Sequence, residues 1–312
     1  MRSILISSFE QPKLTPTYNS PKPSPAAGEV LVKNQAAGIN PIDWKTCHGI
    51  GPVKAEQLPF VAGWEFSGVV EALGEGVEGF AVGDPVFGLA RFPAPGGCFA
   101  DYVSVPANQV CPRPHGVPSS TAAALSIAGL TAWQALFEIG EFKANQRVLI
   151  LGGAGGVGHL AIQLAKWADA SEVITTSSAA NHTFLSALGA DQRVDYHTTA
   201  VADAVKDVDL IIDCVGGQTG IDALPCLADH GIMVTLPSVT KAEVIEAASK
   251  QGKEARGCVI RNDVDQLAKL AFLIERGAVI AHISAQYPLE DLAKAFEQSK
   301  SGRTKGKMVV TF

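Results

Sequence analysis

The 312-residue chain exceeds the roughly 100 to 200 residues of a usual single domain, so its length favours two domains. Hydrophobic residues make up 47% and charged residues 18% of the chain, which excludes a disordered protein. The net charge of −6, without a run of Lys or Arg, argues against nucleic acid and against a membrane surface as partners.

The cysteines and the uncharged segments bear on where the protein works. Six scattered cysteines lack the C-x-x-C spacing of metal sites and redox motifs, which predicts reduced thiols in a cytoplasmic protein. The N-terminal apolar run is too short for a signal peptide. The longest uncharged segment, residues 116–137, contains Pro118 and several hydroxyl groups, so we predict a buried helix there and no membrane span.

Hydrophobic patterning in chain order predicts the domains. Short β-type segments alternate with turn residues over residues 4–114, which indicates a mostly β, barrel-like domain. Hydroxyl residues at 119–121 offer N-caps to an Ala-rich segment, and this change of composition marks a boundary. Over residues 119–262, β-type runs alternate with helical segments, the pattern of a doubly wound parallel sheet. We therefore predict an α/β protein with domains at 1–118 and 119–262, and a segment, 263–312, that returns to the first domain.

Residues 147–166 carry the most informative motif. Their pattern predicts a strand, a tight turn and a helix, and Gly153, Gly155 and Gly158 fit G-x-G-x-x-G within it. Glycines allow the backbone to approach a pyrophosphate, and the helix N-terminus presents free N–H groups to it. The expected ligand is a dinucleotide; the alternative is a purely structural turn.

In a doubly wound sheet the ligand lies beyond the carboxyl ends of the strands, which selects the residues that follow each predicted strand. The expected cofactor-binding residues are Gly153, Ala154, Gly155, Gly156, Val157, Gly158, Thr176, Ser177, Ser178, Cys214, Val215, Gly216, Leu236 and Ser238. NAD-preferring domains place Asp or Glu about 20 residues past the glycines, whereas residues 175–178 here are hydroxyl residues that can donate to a 2′-phosphate. NADP(H) is therefore the expected cofactor, with Asn181 and His182 as further donors. The alternative role of these hydroxyls is helix capping.

Five segments of the chain, taken together and in order, carry a family resemblance. They are AGINPIDWK (37–45), GWEFSGVV (63–70), GDPVF (83–87), GLTAWQA (129–135) and GAGGVG (153–158). They resemble the zinc-independent quinone oxidoreductases of the medium-chain dehydrogenase/reductase superfamily. The resemblance implies a GroES-like, mostly-β catalytic domain, an inserted Rossmann domain, a cleft between the two and a homodimer. It also implies reduction of a small-molecule quinone, enone or alkenal with NADPH.

The same resemblance bears on metal binding. Zinc alcohol dehydrogenases of this superfamily place a ligand Cys where this chain has Asn40, and a ligand His where it has Trp64. Neither side chain is a useful zinc ligand, and the lobe of four cysteines that binds structural zinc is missing. We expect no metal. Chemistry without a Lewis acid favours a conjugated carbonyl, because conjugation delocalises the negative charge that hydride addition creates.

The resemblance places Asn40 and Lys45 beneath the nicotinamide, where they could orient a carbonyl or stabilise an enolate. Their alternatives are a turn-shaping residue and a solvated surface charge. Asp43 matches the family's Asp in this catalytic segment, with a structural role favoured: holding loop backbone or pairing with Lys45. Thr131 matches a nicotinamide contact, and its alternative is a hydrogen bond to its own helix.

Aromatic residues provide the expected substrate pocket: Trp44, Trp64, Phe92 and Phe99, with core packing as the alternative. Relatives usually have Tyr at the position of Phe99, so one possible proton donor is absent, and the proton can come from water. Cys98 is more plausible as a buried inert thiol than as a reactive one. The alternative function is an NADPH-binding sensor or accessory protein with little turnover.

Overall fold

The computed structural model describes residues 1–312, with fifteen strands and ten α-helices. The strands are β1 (Leu5–Ile6), β2 (Glu29–Ile39), β3 (Phe60–Val61), β4 (Glu65–Leu73), β5 (Pro85–Leu89), β6 (Tyr102–Pro106), β7 (Val110–Pro112), β8 (Arg147–Leu151), β9 (Glu172–Ser177), β10 (Gln192–Asp195), β11 (Val208–Asp213), β12 (Leu227–Thr235), β13 (Glu254–Gly257), β14 (Ile283–Pro288) and β15 (Lys307–Thr311). The helices are α1 (Pro41–Cys47), α2 (Ser119–Ala123), α3 (Ser126–Trp133), α4 (Gly158–Trp167), α5 (His182–Ala187), α6 (Val201–Ala204), α7 (Gly217–Ala223), α8 (Lys241–Lys250), α9 (Val264–Glu275) and α10 (Leu292–Lys300).

The chain divides into two compact units. The first comprises Met1–Ile127, Arg261–Gly277 and Ala281–Phe312; the second comprises Ala128–Ile260 and Ala278–Ile280. Helix α2 packs against β2 and β4 of the first unit, so this division follows Ile127, later than the change of composition at residue 119.

The first unit is built on a seven-stranded sheet in the order β14-β15-β2-β4-β5-β7, with β6 also paired to β2. All its pairs are antiparallel except β14 with β15. The return of the last strand to this sheet pairs Met308 with Ile39. In the middle of β2, exposed Lys33 and Gln35 alternate with buried Asn34 and Ala36, the alternation typical of a sheet with one face on the core.

The second unit contains a six-stranded sheet in the order β10-β9-β8-β11-β12-β13, and every pair is parallel. The four residues Val148–Leu151 of β8 are completely buried, as expected of a central strand covered on both faces. The chain runs from β8 outward to β10, and then resumes at β11 on the other side of β8. The predicted α/β fold class is confirmed, and the carboxyl ends of β8 and β11 form the topological switch point.

The uncharged segment at 116–137 differs from the prediction of one buried helix. It forms α2 and α3, separated at Ala124 and Leu125, and then a π-helix at Gln134–Ile139. Both Ala124 and Leu125 are fully buried. No helix in the structure has the length and apolar character needed to cross a bilayer.

Candidate cofactor and active site

A tight glycine turn joins β8 to α4. The N–H of Gly152 donates to Thr176 Oγ1 at 3.1 Å, and the N–H of Gly153 donates to the Thr176 carbonyl at 3.1 Å. A Cβ at Gly153 would lie 1.9 Å from Thr175 Oγ1, and one at Gly158 would lie 2.5 Å from the Gly152 carbonyl oxygen. This packing requires glycine at positions 153 and 158.

The start of α4 presents free donors. The backbone N–H groups of Gly156, Val157 and Gly158 have no acceptor in the chain, as is usual in the first turn of a helix. A Cβ at Gly155 would meet only the Gly152 oxygen, at 3.3 Å, so the space above this turn is open to a ligand. Unpaired N–H groups at a helix N-terminus fit a pyrophosphate.

The turn after β11 forms the neighbouring wall. Asp213 is completely buried, and its carboxylate accepts hydrogen bonds from the N–H groups of Val215 and Gly216 at 3.0 and 2.8 Å. Val215 Cγ2 would lie 3.1 Å from a Cβ at Gly152, so the structure brings the 214–216 segment beside the glycine turn. Burial raises the pKa of the Cys214 thiol well above its ordinary value, which makes it a poor nucleophile. Asp213 was not among the predicted residues, because it ends β11 and the prediction selected residues that follow each strand.

The hydroxyl residues at the end of β9 have several partners. Thr176 and Ser177 are buried, and the Ser177 hydroxyl donates to the Ser178 carbonyl at 3.0 Å. Asn181 Nδ2 donates to Ser178 Oγ at 3.3 Å, and the half-buried His182 has a buried Nε2 without a partner. The backbone N–H of Tyr196 donates to the Ser177 carbonyl at 3.3 Å, which places this exposed residue next to the end of β9. No sequence pattern pointed to Tyr196.

Two further cofactor predictions lie at the end of β12. The Leu236 N–H donates to the Asp213 carbonyl at 2.9 Å, which places Leu236 at the carboxyl edge of the sheet, and Ser238 is exposed beyond it. Thr131 lies in α3 with only 9% of its surface exposed.

In the first unit, Asn40 precedes α1 and is 95% buried. Its Nδ2 donates to Glu65 Oε2 at 2.5 Å, and its Oδ1 accepts a hydrogen bond from Lys307 Nζ. Both ends of the Asn40 amide are therefore occupied within the protein.

Glu65 and Lys307 form a buried ion pair. Lys307 Nζ lies 3.1 Å from Glu65 Oε2, with the two side chains 3% and 0% exposed. Lys307 also donates to the Ile39 carbonyl at 3.1 Å, and Glu65 Oε1 accepts from the Ile127 N–H at 2.5 Å. No sequence pattern identified this pair, because its members are 242 residues apart.

Asp43 holds the backbone that leads into α1. It is 1% exposed, and its Oδ2 accepts a hydrogen bond from the Asn40 N–H at 2.7 Å. Burial raises the pKa of Asp43 to about 8. Lys45 does not pair with Asp43; its ammonium group lies 5.6 Å from the centre of the Trp44 ring.

Comparisons with known proteins decide the family. Residues 26–115 match the alcohol dehydrogenase GroES-like domain, and residues 188–310 match the zinc-binding dehydrogenase model. A quinone oxidoreductase structure from Coxiella burnetii is 38% identical over 100% of this chain and 99% of its own, with a TM-score of 0.93. The 2-methylene-furan-3-one reductase of Solanum lycopersicum is 33% identical over 90% of this chain and 71% of its own. An Escherichia coli quinone oxidoreductase, solved with NADPH, is 25% identical over the whole of both chains, with a TM-score of 0.87.

The chain belongs to the quinone oxidoreductases of the medium-chain dehydrogenase/reductase superfamily. This confirms the resemblance drawn from the five sequence segments. It also makes the protein an oxidoreductase.

The two side chains that the resemblance compares with zinc ligands, Asn40 and Trp64, both have hydrogen-bond partners within this quinone oxidoreductase. Asn40 is engaged with Glu65 and Lys307, and the indole Nε1 of Trp64 donates to the Ala94 carbonyl at 2.7 Å. No group of three or more His, Cys, Asp or Glu side chains is arranged to hold a metal ion.

The predicted aromatic pocket requires a correction. Trp64 and Phe92 pack edge to face, with ring centres 5.7 Å apart, but Trp64 is only 2% exposed and therefore belongs to the core. Phe99 is completely buried and packs against Phe296, with ring centres 6.1 Å apart, so it is a core residue and not an exposed pocket wall. Trp44 makes no ring contact with the other three. The four aromatic residues therefore do not form one surface. The sequence alone did not show which of them would be buried in the core.

Cys98 also belongs to the core. It is completely buried, and burial raises the pKa of its thiol well above the ordinary value. A thiol that stays protonated and has no exposed surface is a poor nucleophile.

Proposed function

We propose that this oxidoreductase reduces quinones or α,β-unsaturated carbonyl compounds by direct hydride transfer from NADPH, without zinc. The observation that carries the proposal is the glycine turn at the topological switch point, where three unpaired N–H groups begin α4. The NADPH complex of the Escherichia coli relative and the reductase activity named for the tomato relative support it.

The cofactor would be held at three places. The N–H groups of Gly156 to Gly158 suit its pyrophosphate, and Ser178 with Asn181 suits the 2′-phosphate. We assign the nicotinamide contact to Thr131 on the family resemblance. NADPH, when bound, supplies the hydride, and the protein supplies orientation and a dry environment.

The acceptor chemistry needs little from the protein. A conjugated acceptor delocalises the charge created by hydride addition, so no Lewis acid is required. Lys45 makes no ion pair and can stabilise the developing oxyanion, whereas the amide of Asn40 is engaged in the core. Water supplies the proton to the resulting enolate or hydroquinone anion.

A panel of 1,4-benzoquinone, cyclic enones and alkenals, each assayed with NADPH and with NADH, tests this proposal. We expect oxidation of NADPH with at least one acceptor class and weaker use of NADH. Saturable NADPH binding without turnover on any acceptor would favour a sensor or accessory protein instead. Absence of NADPH binding would contradict both functions.

We also propose a homodimer in the cytoplasm. Strand β13 is paired only with β12, so its other edge is available to a second chain, and Val259 just beyond it is 69% exposed. All six cysteines are free thiols, which suits a reducing compartment. Light scattering after size exclusion tests the dimer, and Val259→Lys should shift it toward monomer.

A further inference from the structure

A closed hydrogen-bond network surrounds Asn40 in the first unit. Lys307 uses all three of its N–H groups, on the Ile39 carbonyl, Asn40 Oδ1 and Glu65 Oε2. Glu65 uses both oxygens, one on the Ile127 N–H and the other on Asn40 and Lys307. All three N–H groups of the ammonium and both oxygens of the carboxylate thus have hydrogen-bond partners. Two charges can remain completely buried only under this condition.

The network contacts the two segments that carry the proposed chemistry. Asn40 is the residue before α1, which contains Lys45, and Ile127 lies in the first turn of α3, which contains Thr131. A single carboxylate, Glu65, therefore contacts the starts of both helices.

We propose that Glu65 and Lys307 are positioning residues for hydride transfer. They act through Asn40 to fix the start of α1 and through Ile127 to fix the start of α3. The inference rests on the proposed function, because it concerns Lys45 and Thr131 in that reaction.

Stability alone does not explain the pair. Well-packed apolar side chains commonly stabilise a core as much as a buried ion pair does, or more. What an apolar pair cannot do is bind both ends of the Asn40 amide and the Ile127 N–H. Two other ionisable groups interact electrostatically with the network: Asp43 on α1, and Cys98 before β6. Neither forms a hydrogen bond with Lys307. The geometry of Asn40 thus depends on Glu65 and Lys307 together.

The decisive variant is Glu65→Gln/Lys307→Met in the full-length protein, which removes both charges at once. Lys307→Arg is the conservative variant, and Lys294→Met, at an exposed position of α10, is the matched control. We expect the double variant to bind NADPH within about twofold of wild type, with kcat reduced by about 10- to 100-fold and KM changed far less, because small misplacements of reacting groups mainly cost rate. Lys307→Arg should retain most of kcat, and Lys294→Met all of it.

A cofactor-independent measurement separates this inference from the proposed function. In protein labelled with ¹⁵N-asparagine and free of NADPH, the Asn40 side-chain amide resonance should shift in the double variant and remain in place in Lys294→Met. If the wild type reduced no acceptor, the proposed function would fail, and this resonance would still report whether Glu65 and Lys307 hold Asn40.

Either of two results would overturn the inference: wild-type kcat in the folded double variant, or an unshifted Asn40 resonance. If the double variant did not fold, Glu65→Gln/Lys307→Gln carries the same test, because it also removes both charges and leaves no unpaired ion in the core. The amide oxygen that replaces the Glu65 carboxylate can accept from Ile127 but cannot also accept from Asn40, as the carboxylate does.

Discussion

Asp213 accepts a hydrogen bond from the backbone N–H of Gly216 at 2.8 Å, and this contact shapes the turn that follows β11. Gly216 has a φ of +78°, a conformation that favours glycine. The same carboxylate accepts from Val215 and from the Thr235 hydroxyl at 2.8 Å, so it joins the ends of two neighbouring strands. One buried side chain thereby sets the wall beside the proposed pyrophosphate site.

Replacing Asp213 should affect both stability and cofactor binding. We expect Asp213→Ala to lower the free energy of unfolding by about 1–3 kcal/mol, because it leaves buried N–H groups without an acceptor. It should also weaken NADPH binding, since the 214–216 segment loses its anchor. Asp213→Asn is the matched variant, since its side-chain oxygen can still accept from the turn.

Denaturant titration and NADPH fluorescence titration measure these two effects. The proposed role of Asp213 would be wrong if Asp213→Ala bound NADPH as tightly as the wild type does.

The glycine turn allows structural and ligand-binding roles to be separated. Gly153→Ala would place a Cβ 1.9 Å from Thr175 Oγ1, which is itself fixed by donation to the Ile150 carbonyl. Such overpacking should cost about 1–3 kcal/mol of folding stability. Gly155→Ala meets only one atom, at 3.3 Å, so it should fold normally and weaken NADPH binding about tenfold or more.

Thermal unfolding and calorimetric NADPH titration of the two variants distinguish the effects. A normally stable Gly153→Ala protein, or a Gly155→Ala protein with unchanged affinity, would show that we have misassigned the two glycines.

The fold was largely predictable from the sequence because its signals are local. The buried run Val148–Leu151, followed at once by glycines, contains enough information to predict a central strand and its turn. The Glu65–Lys307 pair could not be found in this way. Charged residues usually lie at the surface, and only the return of β15 to β2 brings Lys307 into the core. Phe99 was misplaced for a related reason, since a single aromatic residue gives no sign of whether its neighbour will be Phe296 or a substrate.

Phe99→Tyr tests that correction. Relatives usually have Tyr here, so a missing proton donor would predict that the substitution raises kcat. The complete burial of Phe99 against Phe296 predicts instead a stability loss of about 1–3 kcal/mol, because a hydroxyl would be forced into the core. Phe92→Tyr, at a half-buried ring, is the control. Chemical denaturation and steady-state kinetics decide between a loss of stability and a raised kcat. A raised kcat in Phe99→Tyr would mean that residue 99 does belong to the active site.

Asp43 should make the stability of the protein depend on pH. Burial is the main reason why its pKa rises from the ordinary 3.8 to about 8, and the negative charge of Glu65 adds to the rise while Lys307 opposes it. Between these two pH values the folded protein retains a proton that the unfolded chain has released. The stabilisation from this proton is fully present below about pH 4, declines as the pH rises and is lost above about pH 8.

Asp43→Asn should remove this slope, because the amide oxygen can still accept from the Asn40 N–H and carries no ionisable proton. Asp203→Asn, at an exposed position in α6, is the control and should leave the slope unchanged. Urea titrations at intervals from about pH 4.5 to 9 measure it. If the free energy of unfolding changed with pH in the same way for the wild type and for Asp43→Asn, Asp43 would already be ionised in the folded protein. The positive charge of Lys307 would then compensate the carboxylates of both Asp43 and Glu65.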